Sequence, residues 1–205
     1  YWRWLLAMLQ GDWGFSFASR IDVDKLILQR LPATIFVIGS AQVLALLVAL
    51  PVGVYAAMRP YSIFDQIANT FAFIGFSLPT FFTGLVLILI FSIWLDWLPV
   101  LGAGRDGDLF DQAKRLILPT LALSLTWIGF IARLVRSSML EVLGENYIRT
   151  ARAYGLSERL ITYKYALKNA CIPTLAILGL GLGRLFTQGV LVEIVFARPG
   201  LGRLI

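Results

Sequence analysis

Residues 31–58 read LPATIFVIGSAQVLALLVALPVGVYAAM, and no charged side chain interrupts them. A helix needs about 20 apolar residues to cross the hydrocarbon core of a bilayer, and this run exceeds that length. Its polarity does not alternate at every second residue, as a barrel strand would require. The run therefore predicts a spanning helix. Three more charge-free runs follow, at 66–95, 116–132 and 169–183. The first of these clears the length easily and the second is marginal. The third reaches it only if Arg184 is taken into the span together with residues 185–192. The expected fold is an all-α, polytopic inner-membrane helical bundle with four spanning helices, over 31–58, 66–95, 116–134 and 169–195.

Composition points the same way. The chain has 205 residues, of which 59% are hydrophobic and only 15% charged, with a mean hydropathy of +0.79. A soluble domain carries about 25% charged residues. The net charge of +6 reads as the lysine and arginine bias of cytoplasmic loops, not as a nucleic-acid surface. There is no histidine, and Cys171 is the one cysteine, which removes most metal sites and any internal disulfide. No cofactor is expected in the chain. It opens with YWRWLLAMLQGDWGF, without an initiator Met, and stops at GLGRLI. An internal fragment is expected, from a full chain with six spans and one further helix at each end.

The connecting segments assign the sides. Residues 133–168 carry Arg133, Arg136, Arg149, Arg152, Arg159, Lys164 and Lys168 against Glu141, Glu145 and Glu158, a net of +4. Residues 96–115 carry Asp96, Asp106, Asp108 and Asp111 against Arg105, Lys114 and Arg115, a net of −1. Basic residues near span ends stay in the cytoplasm. Residues 135–168 are thus expected inside and 96–115 outside, with 59–65 inside and 1–30 outside. Pro32 is expected at a helix start, where its missing N–H costs little. Pro51 and Pro79 fall inside apolar runs and predict kinks. For 66–95 two readings stand: a surface turn that leads into a helix after Pro79, or one tilted, kinked span.

Between the last two spans lies ENYIRTARAYGLSERL, residues 145–160. Asn146 is expected to cap a short helix whose inner face holds Tyr147, Ile148, Ala151 and Tyr154, with Arg149 and Arg152 turned away. Gly155 suits the left-handed residue that ends a helix. Ser157 can cap the next helix, with Glu158 well placed in its first turn. An apolar face of Leu160, Tyr163, Leu167 and Ala170 is expected there. The composition of this elbow also suits a basic amphipathic helix lying on lipid headgroups.

The residue order goes further. YIRTARAYGLSERL resembles the cytoplasmic loop signature of binding-protein-dependent ABC importer permeases, a Glu-Ala-Ala followed after three residues by Gly. Arg149, Thr150 and Ala151 stand at the first three positions and Gly155 at the glycine. The form RTARAxGL is similar to the dipeptide, oligopeptide and nickel branch. GDWGFSF (11–17), RLPAT (30–34), SLPTFFTGLVLILIF (77–91), ARLVRSSMLEVL (132–143), ALKNACIPTL (166–175) and VEIVFARPGLGRL (192–204) resemble that branch in order and spacing. The resemblance implies a non-catalytic permease subunit of the bacterial inner membrane. It would pair with a second, homologous permease and dock two cytoplasmic ATPase subunits, which hold the ATP and Mg. It would receive substrate from an extracytoplasmic binding protein.

Under this reading Arg149, Thr150, Ala151, Arg152, Ala153, Gly155, Leu156, Ser157 and Glu158 form the coupling surface. Ala151 and Ala153 would let the helix sit close in a cleft of the ATPase, and the arginines would pair with its acidic residues. The sequence independently lacks a G-x-x-x-x-G-K-[ST] loop for ATP phosphates. Arg184 falls within the last span, where an ionisable residue faces protein or water by default. Snorkelling, an ion pair in the complex, or a pathway role steadying a substrate carboxylate are its three readings. Glu193 is expected at the outer interface. A secondary transporter would want intramembrane carboxylates, and the four charge-free runs offer none. A scaffold without a pathway is the remaining alternative.

Overall fold

The computed structural model describes residues 1–17, 19–102, 104 and 107–204, with the side chains of all of these except Arg3, Trp4, Ala7 and Leu182. Arg105 and Asp106, counted above for the outer loop, lie outside the described residues.

A short helix, α1 (Trp2–Leu9), precedes a two-residue antiparallel pair, β1 (Phe15–Ser16) and β2 (Ile21–Asp22). Strand β2 runs directly into α2 (Val23–Met58). Pro32 therefore lies inside a helix, not at its start. The extended backbone of Asp22 sets the N-terminus, so the mixed stretch 23–30, with Asp24, Lys25, Gln29 and Arg30, forms extra turns ahead of the charge-free run. One face of α2 is small and buried at Ala41, Ala45, Ala49 and Gly53, a four-residue spacing that lets another helix approach closely. A Cβ at Gly53 would stand 2.7 Å from the carbonyl oxygen of Ala132. The opposite face shows Phe36 and Leu47 to the surroundings, as expected of a helix bathed in lipid.

The helix that receives this face is α5 (Leu109–Leu143), the hub of the bundle, which packs on every other long helix. Asp108 caps it: the backbone N–H groups of Phe110 and Asp111 donate to its carboxylate, each at 3.1 Å. At 35 residues it extends well past the apolar run 116–132 at both ends. Leu118, Leu123, Ile131, Val135 and Met139 are buried along it.

Between α2 and α5 the run 66–95 resolves into two helical halves, α3 (Ile63–Ser77) and α4 (Thr80–Ile88), the latter continued by a π-helical turn to Trp94. The halves meet at 103°. The residue before a proline is pushed out of the helical region, and Leu78 sits at φ −81°, ψ 131°. Each half has 15 residues, about 22 Å of helix, less than the ~30 Å hydrocarbon core. The run is thus a broken pair with halves of equal length, bent at Pro79, where the sequence predicts a kink.

After α5 come α6 (Asn146–Ala153), a helical turn α7 (Glu158–Leu160), a π-helical stretch Ile161–Ala166 and α8 (Leu167–Val195). A 3-10 turn, Leu201–Arg203, follows. Among the described residues α2 and α5 are long and apolar enough to cross a membrane. Two bent pairs, Ile63–Trp94 at 103° and Glu158–Val195 at 53°, raise the number to four where each pair forms one span. The protein is an all-α polytopic membrane bundle.

Candidate functional site: a helical elbow and a polar niche in the bundle

The end of α5 places the elbow. Glu145, in extended backbone, is the residue that precedes α6, and Asn146 is already helical; the expected cap is displaced by one residue. Ile148 and Ala151 are buried against the core. Tyr147 and Tyr154 are exposed, because eight residues present only a narrow inner stripe. Ala151 thus packs into its own chain, not into an outside cleft. Arg149, Thr150, Arg152 and Ala153 face outward.

Gly155 has φ +75°. Its N–H donates to the carbonyl of Arg152 at 2.9 Å, and the N–H of Leu156 donates to that of Ala151 at 3.3 Å. This pair of bonds is the Schellman ending of a helix. Across the turn the Arg152 guanidinium donates to the Glu158 carboxylate at 2.8 Å. That hydrogen bond holds the Glu158 carboxyl below the usual carboxylate range and raises the Arg152 guanidinium further. Arg152 is therefore engaged within its own chain, while Arg149 and Arg159 make no ion pair among the described residues. Ser157 precedes α7 in extended backbone, but its side chain caps nothing.

The helix after the elbow buries Ile161, Thr162, Ala166 and Ala170. Of the expected face, Tyr163 and Leu160 are exposed and only Ala170 is fully buried. The π turn over Ile161–Ala166 inserts extra residues into the helical repeat, which rotates every residue after it. Asn169 donates to the Tyr147 hydroxyl at 2.8 Å and ties the root of α8 to α6.

Two buried polar clusters flank the bundle. Near the elbow, the Arg136 guanidinium on α5 grips the Asp65 carboxylate on α3 with two bonds, at 2.5 and 2.7 Å. Asn69 and the N–H of Tyr61 also donate to Asp65. At the other end, Glu193 is 1% exposed and packed inside the bundle. Its carboxylate accepts from the Thr34 hydroxyl at 2.5 Å and from the N–H of Gly202 at 2.6 Å. A Cβ on Gly200 would sit 2.0 Å from that carboxylate. Arg198, 6% exposed, donates to the Arg115 carbonyl at 3.2 Å. Arg184, in contrast, is exposed on α8. With Gln188 of its own helix, Thr126, Trp127 and Phe130 of α5 and Phe76 of α3, it lines a cavity of about 20 Å³.

The profile of one protein family, described as "Binding-protein-dependent transport system inner membrane component", matches residues 49–205. The chain belongs to this family. The match covers the elbow, both polar clusters except Thr34, and Arg184. Outside it, α1, the strand pair and most of α2 are still covered by individual relatives. The chain is 39% identical to the oligopeptide transport system permease protein AppB of Bacillus subtilis (strain 168), over 100% of this chain and 66% of that protein. It is 37% identical to the dipeptide transport system permease protein DppB of Escherichia coli (strain K12), over 99% and 67%. With the glutathione transport system permease protein GsiC of Salmonella paratyphi A it shares 39%, over 100% and 65%. The chain therefore spans about two thirds of the length of these relatives. A solved structure of the MetNI methionine ABC transporter, in inward-facing conformations, superposes with a TM-score of 0.66 at 21% identity, over 87% of this chain and 78% of that one. That likeness concerns the fold.

In this member of the family the elbow was readable from sequence, whereas Asp65–Arg136 and the Glu193 cluster were not. Their partners lie 71 and 159 residues apart. One signal for the second was available: glycines at 200 and 202, close after an acid, mark backbone that must approach a carboxylate.

Proposed function

We propose that this chain is a permease subunit of an ATP-driven importer that moves peptides or related small solutes into the bacterial cytoplasm. The observation that carries the reading is the elbow. It has a rigid Schellman ending, a buried inner face of Ile148 and Ala151, and an exposed outer face led by Arg149 and Thr150. Such a surface offers shape and charge to a partner, with no group suited to catalysis. Arg149, Thr150, Arg152, Ala153, Gly155, Leu156, Ser157 and Glu158 would meet two cytoplasmic ATPase subunits, which bring ATP and Mg. Ala151 supports the helix from within. A second, homologous permease would complete the pathway, and an extracytoplasmic binding protein would deliver substrate. Motion of α6 reaches α5 directly through Gly144 and α3 through Arg136 and Asp65, so the broken pair can shift with the elbow and expose the pathway to each face in turn.

The test is co-purification of the ATPase pair, followed by substrate-stimulated ATP hydrolysis in vesicles. The complex is expected to retain both ATPases. Replacing Arg149 by Glu should release them while the permease still inserts. Full retention would leave the elbow as a headgroup-bound helix.

A further inference from the structure

We propose that the crevice at Arg198, between α2 and α5, seats the phosphate of a membrane glycerophospholipid, whose acyl chain lies along the exposed face of α2. The proposal needs the membrane bundle but not the importer reading, so the two can fail separately.

Arg198 follows α8, which ends at Val195, and is 6% exposed. Its Nη1 donates to the Arg115 carbonyl at 3.2 Å, while its Nε–H is buried without a partner. Among the described residues it makes no ion pair. The Glu193 carboxylate is already held by Thr34 and the N–H of Gly202. Burial draws the Arg198 guanidinium below its ordinary value, and Glu193 offsets this only in part. A buried cation in this condition is costly until an anion meets it.

The crevice that Arg198 lines holds about 540 Å³. Its other walls are Pro32, Ala33 and Phe36 of α2 and the start of α5, from Leu109 to Leu116. Arg198 is the one charged side chain among the described residues that line it. Both helices pass from charged to charge-free sequence at this level, between Arg30 and Leu31 on α2 and between Arg115 and Leu116 on α5. That boundary is where a bilayer carries its headgroup phosphates. The planar guanidinium suits a phosphate better than any other side chain does.

The acyl chain has its own place. Pro32 and Phe36 also line a second groove, of about 860 Å³, on the outward face of α2. From Phe36 it continues over Gly39, Val43 and Leu47, residues three and four apart that share one helix face. Its lining is apolar except for Ser40 and Thr120, whose hydroxyls bond each other at 2.9 Å. Phe36, Val43 and Leu47 are more than half exposed, and a Cβ on Gly39 would meet nothing within 4 Å. A small soluble anion would leave this groove empty. An amphiphile fills both, its charge in the crevice and its chain in the groove.

The experiment uses the full-length protein with the subunits that co-purify with it, stripped of lipid, and reads bound lipid by native mass spectrometry. It is titrated in parallel with palmitoyl-oleoyl phosphatidylglycerol and with palmitoyl-oleoyl glycerol, which has the same chains and no phosphate. Wild type should retain the phospholipid about tenfold better, the worth of one charge-assisted hydrogen bond. Arg198→Gln should remove that preference and Arg198→Lys should keep most of it. Arg203→Gln, at an exposed position, should leave it intact. Gly39→Leu should fill the groove and weaken retention of both lipids alike. Equal retention of the two lipids by wild type overturns the site, and so does an unchanged preference in Arg198→Gln. Unchanged binding in Gly39→Leu takes the chain off α2 and overturns it too. If Arg198→Gln loses a subunit that Arg198→Lys retains, the arginine answers an acid of that subunit and the lipid is ruled out.

Discussion

Gly155 is the residue on which the elbow turns. Nothing lies within 4 Å of where its Cβ would stand, yet its φ is +75°. A side chain there meets no neighbour, so the penalty is wholly in the backbone, about 1–2 kcal/mol for alanine. Valine should fare worse, since β-branched residues are genuine outliers at positive φ. Gly155→Val should therefore insert normally and pair with its partner, but recover less ATPase and stimulate less hydrolysis. Normal values for both would remove the elbow from the coupling path. A second residue prediction concerns Glu158. Its lowered pKa means that the pair with Arg152 contributes fully above the ordinary carboxylate range and is lost as pH falls through the lowered value. Carboxyl NMR of the solubilised protein should show Glu158 titrating at lower pH than in an Arg152→Gln variant; equal midpoints would dismiss the pair. Gly155 was legible because a glycine after a short polar helix has few other uses. Glu158 was legible as a first-turn acid but not as the partner of Arg152, because six residues across a reversed turn match no helical spacing.

Between elements, close approach does what large side chains do in soluble cores. A Cβ at Gly129 of α5 would stand 2.4 Å from the carbonyl oxygen of Ala72 on α3, whereas one at Gly39 of α2 meets nothing within 4 Å. Gly129→Ala should lower stability by about 1–3 kcal/mol through overpacking, read as a fall in the melting temperature of the detergent-solubilised protein, and Gly39→Ala should not. The Asp65–Arg136 bridge fastens the same two helices nearer the elbow. Losing one partner of a buried pair costs about 3–5 kcal/mol, and less here because Arg136 is 21% exposed. Asp65→Ala should therefore destabilise clearly, with Arg136→Leu adding little on top; additive losses would show that the two act separately. Apolar runs announced most of these helices. Pro79 announced a kink but not its size, since the charge-free run continues across it and the 103° angle is set by how the two halves pack on α5 and α8. Nor did a regular 3.6-residue count foresee the π turn over Ile161–Ala166, which moves Tyr163 outward and brings Thr162 in.

At the scale of the molecule, the charge count predicts residues 96–115 outside and 135–168 inside. In a Cys171→Ser background, Leu109→Cys should react with an impermeant thiol reagent on intact cells, and Thr150→Cys only after permeabilisation. The reverse pattern would sink both the orientation and the proposed coupling surface. Family and helix content were plain from the sequence, because motif order and hydropathy are local properties. The contacts that close the bundle were hidden, because they join residues far apart in the chain. The Thr34–Glu193 bond joins residues 159 apart, and it also sets an order of biosynthesis. A ribosome adds about 5–20 residues each second, so Thr34 is made roughly 10–30 s before the acid that completes it. Throughout that interval Thr34 is without the carboxylate to which it donates in the finished fold. Helix α2 is thus made long before it is secured at Thr34, and Glu193 gains its second donor, the N–H of Gly202, only when the chain has grown nine residues further.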